Sequence, residues 1–247
     1  MDCEITTTNA TTPMLGLEQA LREPGFWFCP GGAFEKMPFF RAATWQRFAD
    51  CWDRLTLDRY MGDGGIYRYR RFSELVCRPA SGALLLQPHR PYSQPRYINT
   101  LNGGTERHFD PLEPVFVEDP FFCGLLVWCA RSFAQVSGHD GDWDIKVHPY
   151  RIVAAENASG HPTPEGLHRD GVDYILTMMV RRDNVIGGET TITDASGAPL
   201  WRRVLLSPLD IVIADDARTR HAVTSIQRKN MGCPAHRDVL VVAFTRL

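Results

Sequence analysis

The stretch that decides the fold is residues 164–194, PEGLHRDGVDYILTMMVRRDNVIGGETTITD. An apolar run of strand length, VDYILTMMV, follows the triplet HRD at 168–170, and a run rich in β-branched residues, ETTITD, follows a Gly-Gly pair. Short runs of this kind, bounded by glycine, are typical of β-strands. The pair Gly187–Gly188 predicts a sharp reversal that starts the next strand.

Short strand-like runs of the same kind continue through the C-terminal part of the chain. After Gly141 the strand-like runs are DIKVHPYRIVA, VDYILTMMV, ETTITD, RVLLSPLDIVIAD, HAVTSI and DVLVVAF. No segment with helical length and period interrupts them. Successive short strands without helices between them predict an antiparallel sandwich or barrel, with helices packed on one outer face.

The N-terminal part predicts two helices with strands between them. Apolar residues recur at intervals of three and four over residues 44–57, which predicts a helix with one buried face; they are Trp45, Phe48, Ala49, Trp52 and Leu55. A second helix is predicted from Asp119 as N-cap and Pro120 at its first position to a stop at Gly138. Between the two, GIYRYRRF and GALLLQP predict strands.

The order of these predicted helices and strands predicts one main domain. Residues 1–12 are polar and predict a disordered arm. Residues 13–247 are expected to form a single domain, in which 13–140 is an N-terminal extension of helices and strands and 141–247 is the β core.

Composition favours a small molecule or a protein as the partner. With 44% hydrophobic and 23% charged residues the chain is typical of a soluble globular protein, and a net charge of -2 gives no reason to expect nucleic acid or an anionic membrane. No run approaches the roughly 18 apolar residues of a membrane span. The N-terminus lacks the pattern of a signal peptide, and the 7 Cys form no CxxC pair, so we expect reduced thiols and a cytoplasmic location. The oligomeric state stays open.

Three His-x-Asp triplets occur, beginning at His108, His168 and His236. A mononuclear non-haem iron site needs two imidazoles and one carboxylate, and His and Asp two apart on a strand leave the same face. Only His168 and Asp170 adjoin a long strand and are followed by a later strand that opens with a histidine, His221. These three residues are therefore the predicted metal ligands.

Two further observations support this choice. Arg237 begins the last strand, from which its guanidinium could enter the barrel as the counter-ion of a buried carboxylate. A protein kinase, which also carries His-Arg-Asp, would have Asn five residues after the Asp; here Ile175 stands at that position.

Residues 164–194, together with LDIVIADDARTRHAV and RDVLVVAF, resemble the small bacterial 2-oxoglutarate/Fe(II) dioxygenases that hydroxylate free L-amino acids. YRYRRFSEL and PHRPYSQPRYINTLNGGTERHFDPL are similar to the N-terminal half of that family. The resemblance implies a double-stranded β-helix, also called a jelly roll. It also implies that His168, Asp170 and His221 hold Fe(II), and that Arg237, rather than Arg228 in the preceding loop, binds the distal carboxylate of 2-oxoglutarate.

The chemistry implied by the resemblance is hydroxylation of an unactivated carbon. Molecular oxygen and 2-oxoglutarate would be consumed, and succinate and CO2 released. Because related halogenases lack the carboxylate ligand, Asp170 favours hydroxylation.

A free amino acid needs a cation for its carboxylate and an acceptor for its ammonium group. Arg151 is the first candidate for the carboxylate or for 2-oxoglutarate, with a structural ion pair as the equal alternative. Tyr150 and Thr190 could hydrogen-bond either acid, although a structural role is more common. Glu165 could receive the ammonium group or be a solvated loop residue.

Other polar residues are weaker candidates. Arg68, Arg70 and Arg71 could line the pocket mouth, but a charged solvent-facing surface is the favoured interpretation. Gln94 and Asn99 could contact a polar substrate side chain.

Two other functions stay open at this stage. The same chemistry could act on a residue tethered to a peptide or a carrier protein, which would predict an open basic trough. Alternatively, the chain could be a non-catalytic jelly-roll module that binds a small ligand.

Overall fold

A computed structural model describes residues 12–247, with side chains from Gly16 onward. Residues 1–11 of the predicted arm lie outside the described residues. The described α-helices are Thr12–Arg22 (α1), Gly31–Phe34 (α2), Ala42–Ala49 (α3), Pro114–Val117 (α4) and Pro120–Ser137 (α5), and a 3-10 helix covers Asp50–Arg54. None of the described helices is long and apolar enough to cross a membrane.

The described strands occupy most of the C-terminal part of the chain. They are Phe26–Cys29 (β1), Thr56–Leu57 (β2), Arg68–Arg70 (β3), Ser73–Arg78 (β4), Ala83–Leu86 (β5), Trp143–Val153 (β6), Tyr174–Asp183 (β7), Val185–Gly187 (β8), Glu189–Asp194 (β9), Pro199–Val204 (β10), Ile211–Asp215 (β11), Thr219–Val223 (β12), Ile226–Arg228 (β13) and His236–Arg246 (β14).

These strands form two facing layers. The main sheet has the order β1-β11-β7-β14-β6-β3-β2, and β4 pairs with both β6 and β5. The second layer consists of β10-β9-β12 and the pair β13-β8. Apolar residues from both layers pack between them, among them Ile192 from β9 and Val239 from β14. Every named strand pair is antiparallel, and the architecture is the expected double-stranded β-helix.

Helix α5 covers the outer face of the main sheet. Its side chains share one core with Leu240, Val242 and Phe244 of β14. Phe133 stacks on Tyr174 with ring centroids 4.2 Å apart and meets Phe244 edge-on at 5.0 Å. Because strand residues alternate between faces, the neighbouring β14 residues point to the other side, between the sheets.

The sequence predicted α5 with its caps. Asp119 accepts hydrogen bonds from the backbone N–H groups of Phe121 and Phe122, and Gly138 closes the helix in the left-handed conformation at φ 69°. Both ends follow the capping chemistry expected of these residues.

The helix predicted over residues 44–57 is shorter than expected. Helix α3 ends at Ala49, the 3-10 helix follows, and Thr56–Leu57 pair as a strand with Tyr69 and Arg70. The apolar stripe is nevertheless buried as predicted. Trp52 ties the 3-10 helix to the main sheet, since its Nε1 donates to the backbone carbonyls of Tyr150 and Val239 at 3.1 and 3.2 Å.

Three other predictions differ from the structure. The runs 203–215 and 221–226 each divide into two strands, and α1, β1 and β4 were not predicted. Gly187–Gly188 does not make the reversal. The chain leaves the main sheet at Asn184, which has φ 50°, and the glycines, at φ 79° and 72°, kink one strand that continues from β8 to β9. A Cβ at Gly187 would lie 2.3 Å from the carbonyl oxygen of Ser225, so that close approach requires glycine.

The proposed division into one domain stays a prediction. Strands β1 to β5 of the N-terminal extension are hydrogen-bonded into the same main sheet as strands after residue 141.

Candidate active site

A cavity of about 300 Å³ lies between the two layers. Its walls come mainly from the inward-facing residues of β6, β7 and β14, from two arginines of β3 and from the segment 92–99. The cavity also contains His168, Asp170 and His221. All predicted metal ligands therefore face one cavity.

A backbone pairing between His168 and His221 brings the three predicted ligands together. His168 and His221 exchange backbone hydrogen bonds of 3.0 Å in each direction, so their side chains leave neighbouring positions. One ligand atom from each of His168, Asp170 and His221 lies within 4.8 Å of the others. Nε2 of His221 is 3.4 Å from Oδ2 of Asp170.

Protonation at this cluster suits a divalent metal. Nδ1 of His168 is 2.9 Å from the carbonyl oxygen of Gly166 and donates to it, which leaves Nε2 as a ligand. Burial, and then His168, lowers the pKa of His221, so its ring is neutral as coordination requires. Two neutral imidazoles and one carboxylate with further positions open are the donor set of non-haem Fe(II) sites. The residues present fit that ion.

Asp216 holds the loop that carries Asp170. Its carboxylate accepts hydrogen bonds from the backbone N–H groups of Asp170, Gly171 and Val172 at 3.1, 2.8 and 3.1 Å, and the residue is fully buried. The side chain of Arg169 stays largely outside, 4.0 Å from this carboxylate. Asp216 was not predicted, because nothing in ADDARTR distinguishes it from Asp215.

Arg237 enters the cavity from β14 and is 1% exposed. Its Nε and Nη2 have no hydrogen-bond partner among the described residues, and no described carboxylate oxygen lies within 4.0 Å of it. Burial, followed by Arg182, lowers its pKa to about 9, so it stays cationic at neutral pH. A buried cation without a counter-ion is a strong anion-binding group.

Thr190 stands two residues before Ile192 on β9, so its side chain points between the layers, although it is not among the residues that line the cavity. Its Oγ1 is buried without a hydrogen-bond partner among the described residues. Gly188, two residues earlier, packs against Arg237, since a Cβ there would be 3.4 Å from Cδ of Arg237.

Arg228, the alternative to Arg237, is already bonded elsewhere. Its guanidinium donates to the carbonyl oxygens of Cys233 at 2.6 Å and Ala154 at 3.3 Å. It does not line the cavity.

The expectation that Arg151 binds the substrate or 2-oxoglutarate is wrong. Its guanidinium makes two 2.7 Å hydrogen bonds to Asp238 and one to Asp53 on the opposite side of the sheet from the cavity. Arg151 pairs with Asp238 in register, and both residues alternate out of the cavity while Tyr150 points in. The structural ion pair is therefore the correct interpretation.

The favoured interpretation of Arg68 and Arg70 as a solvent-facing surface is also wrong. Both line the cavity and are 5% and 1% exposed. They alternate inward from β3 with Tyr69 between them. Arg71 does lie outside, where it donates to the carbonyl oxygens of Arg54 and Pro111.

Tyr150 and Glu165 both line the cavity. The Tyr150 ring lies beneath the guanidinium groups of Arg68 and Arg70, at 5.5 and 4.7 Å from its centroid. Oε1 of Glu165 is 3.4 Å from Nε2 of His168, while its Oε2 is buried without a hydrogen-bond partner among the described residues. Glu165 is therefore no solvated loop carboxylate.

Among the cavity residues that were not predicted, three carry aromatic or basic side chains that bear on ligand binding. They are Tyr92, Arg107 and His148. His148 could have been found, since it stands two residues before Tyr150 on the same strand face. Arg107 and Tyr92 lie in irregular segments joined by mutual backbone hydrogen bonds of 2.9 Å, and no sequence period marks them. Gln94 and Asn99 also reach the cavity.

His148 is neutral and bonded to a cation. Burial, and then Arg70 and Arg107, lowers its pKa well below the usual range. The ring nitrogen Nδ1 accepts a short hydrogen bond from Nη2 of Arg70. The ring also stacks on Phe72 at 5.0 Å.

Comparison with known proteins gives a consistent result. The family model described as 2OG-Fe dioxygenase matches residues 49–243. The chain is 25% identical over 238 residues to 3(1)-hydroxy-L-isoleucine 4-dioxygenase of Pantoea ananatis, covering 92% of this chain and 94% of the relative. It is 24% identical over 195 residues to L-isoleucine-4-hydroxylase of Bacillus thuringiensis, covering 76% and 80%.

A solved structure, that of a bsmA homologue from Methylobium petroleophilum, is similar across nearly the whole chain. Its TM-score is 0.86 at 34% identity, and the match covers 97% of this chain and 94% of the other.

The neutral state of His148 predicts a pH dependence of stability. An unfolded histidine has a pKa of about 6.5. Because the folded pKa is lower, the unfolded state binds more protons below that pH, and the free energy of unfolding falls by up to about 1.4 kcal/mol per pH unit. His148→Gln should remove this contribution and flatten the slope of unfolding free energy between pH 7 and 5, measured by urea denaturation. His139→Gln, outside the cavity, is the control; equal slopes for His148→Gln and wild type would contradict the assignment.

The contacts of Asp216 predict a role in metal retention. Asp216→Asn would place an amide N–H group against backbone donors, loosening the loop at Asp170, and Fe(II) affinity should fall about 10- to 100-fold, as is typical for residues that support metal ligands. The measurement is anaerobic Fe(II) titration. Asp215→Asn is the matched control, and the expectation fails if both variants bind Fe(II) equally well.

Proposed function

This chain belongs to the 2OG-Fe dioxygenase family, and on that premise we propose that it hydroxylates an unactivated carbon of a free L-amino acid. As a member of that family it is an enzyme that uses Fe(II), 2-oxoglutarate and O2. The observation that carries the site assignment is the enclosure, in one cavity, of the ligand cluster His168, Asp170 and His221 with the uncompensated cation Arg237.

In this proposal His168, Asp170 and His221 hold the iron. When bound, Fe(II) together with 2-oxoglutarate and O2 supplies the oxidant that converts C–H to C–OH while 2-oxoglutarate becomes succinate and CO2. The protein's part is to keep the His221 imidazole neutral, to orient His168 through Gly166 and to hold the Asp170 loop through Asp216.

Arg237 is the proposed anchor of the distal carboxylate of 2-oxoglutarate. The partnerless Nε and Nη2 of Arg237 and Oγ1 of Thr190 are donors that such a carboxylate would satisfy. Tyr150 is proposed as a further hydrogen-bonding residue of the same cavity.

The amino-acid substrate is inferred from two kinds of support. The curated relatives are named for L-isoleucine and its hydroxylated derivative. Within the cavity, Glu165 has a buried oxygen without a partner beside His168, where it would receive the substrate's ammonium group. A cavity of about 300 Å³ is small, at the lower end of small-molecule sites.

The apolar cavity wall would position the carbon to be hydroxylated. Ile175 from β7 and Val239, Val241 and Ala243 from β14 line this wall. Aliphatic side chains exclude water and hold an aliphatic carbon by contact alone, which is how a protein aims one C–H bond.

The alternatives are weaker but testable. A peptide- or carrier-tethered substrate would need an open trough, whereas the cavity lies between the sheets. A non-catalytic module would have no use for the metal cluster. A cytoplasmic location and the absence of nucleic-acid and membrane partners stay predictions.

The direct test is succinate release by protein reconstituted with Fe(II), 2-oxoglutarate and O2. The panel comprises the twenty standard L-amino acids with pipecolate, ornithine and citrulline. At least one should stimulate succinate formation and gain one oxygen atom by mass, and Asp170→Ala should abolish both. Stimulation by none of the panel would refute the amino-acid assignment.

The anchor assignment predicts a selective defect. Arg237→Gln should raise the KM for 2-oxoglutarate by about 30-fold or more, because breaking a buried charge-assisted pair costs about 2–5 kcal/mol. Arg237→Lys keeps the charge but loses the two-pronged hydrogen bonding and should be intermediate. Arg228→Gln is the matched control; if it carries the KM effect instead, the anchor is misassigned.

A further inference from the structure

We propose that Arg70 and Arg107 form an arginine clamp that binds the α-carboxylate of the substrate, so that the enzyme requires a free carboxylate. This inference rests on the proposed function and names the group that selects the substrate class. It replaces Arg151, which lies outside the cavity.

Both guanidinium groups are buried without a carboxylate of their own. Arg70 is 1% and Arg107 is 2% exposed. The carboxylate nearest to Arg70 is that of Asp58, 4.0 Å away, and it is already bonded to Arg68 at 2.8 Å. Arg107 has no described carboxylate oxygen within 4.0 Å and donates to Oε1 of Gln94 at 3.0 Å. The Nε atoms of both arginines have no hydrogen-bond partner among the described residues.

Aromatic rings hold the two groups in place but do not neutralise them. The Tyr92 ring lies under both, with its centroid 5.5 Å from Cζ of Arg70 and 4.7 Å from Cζ of Arg107. The centroid of the Phe109 ring lies 3.8 Å from Cζ of Arg70. Such contacts attract a cation weakly and fix the orientation of the guanidinium plane. The clamp is thus oriented in advance for a planar anion.

His148 connects the clamp to the sheet. Its neutral ring accepts a hydrogen bond from Arg70 and stands 4.8 Å from the Tyr92 ring that both arginines share. Arg70 and Arg107 therefore converge on one corner of the cavity. A neutral partner leaves both positive charges available to a ligand.

The pairing of charges in the cavity assigns Arg70 and Arg107 to the substrate. Arg68 is paired with Asp58 and Lys146 with Asp144. Of the arginines lining the cavity, Arg70, Arg107 and Arg237 have no dedicated carboxylate in the part of the chain that the structure describes. The distal carboxylate of 2-oxoglutarate would neutralise Arg237. The α-carboxylate of the substrate is then the anion available to Arg70 and Arg107.

The clamp decides between free and tethered substrates. An amino acid bound as a thioester or amide has no α-carboxylate, so its binding would leave two cations buried and unpaired. That is a large penalty in a water-poor cavity. A ligand with a free α-carboxylate would pair with both cations, and the free amino acid of the proposed function has one.

The test compares each active amino acid of the panel with its primary amide on wild-type enzyme, which needs no variant. The amide should lose about 30-fold or more in kcat/KM. Turnover of amide and acid at equal kcat/KM would overturn the clamp while leaving amino-acid hydroxylation intact. Absence of turnover with every amino acid would instead refute the proposed function, so the two failures are distinct.

Variants then locate the effect. Arg107→Gln should raise the KM for the active amino acid by about 30-fold or more, with the KM for 2-oxoglutarate changed less than about threefold. Arg107→Lys should recover part of the loss, because it restores the charge without the fork. Arg71→Gln, outside the cavity, is the matched control and should match wild type. A rise in the KM for 2-oxoglutarate alone would overturn the clamp. Thermal unfolding of each variant verifies that it is folded.

Discussion

The alternation of side chains along the main sheet is the constraint on which the rest of the structure depends. Strand β14 lies between β6 and β7, so each of its residues must face either the outer side of the main sheet or the second layer. Leu240, Val242 and Phe244 complete the helix-covered core, while Arg237, Val239 and Val241 line the cavity. The same parity sends Asp238 outward to Arg151. A shift of one residue in register would exchange core and cavity.

The cavity is electrostatically unusual because it buries more positive than negative charge. Arg68, Arg70, Arg107 and Arg237 are at most 5% exposed, and within residues 16–247 Arg68 is the one of the four with a carboxylate at hydrogen-bonding distance. Unpaired buried charge lowers the stability of the folded protein, as the depressed pKa of Arg237 reflects. Anionic ligands would offset that cost, so binding and folding should be coupled.

The metal cluster depends on the contact between the segment before β7, which carries His168 and Asp170, and strand β12 of the second layer, which carries His221. The backbone pairing of His168 with His221 joins them, and Asp216 fixes the turn after Asp170 with three hydrogen bonds. The ligands are therefore positioned by one backbone pairing and by one buried carboxylate, that of Asp216. Arg169, inside the same triplet, is consequently free to point outward.

The sequence by itself determined the β-rich fold class, the capped helix α5 and the grouping of His168, Asp170, His221 and Arg237, because those signals are local: period, caps and strand ends. It failed for Arg151, Arg68 and Arg70, whose facing depends on which strand pairs with which. It also missed Asp216, Arg107 and Tyr92, which act from irregular segments whose position is set by long-range contacts. Only the tertiary structure decided which charges are paired and which are buried alone. The identity of a residue as arginine does not reveal whether its partner is Asp238 or the carboxylate of a ligand.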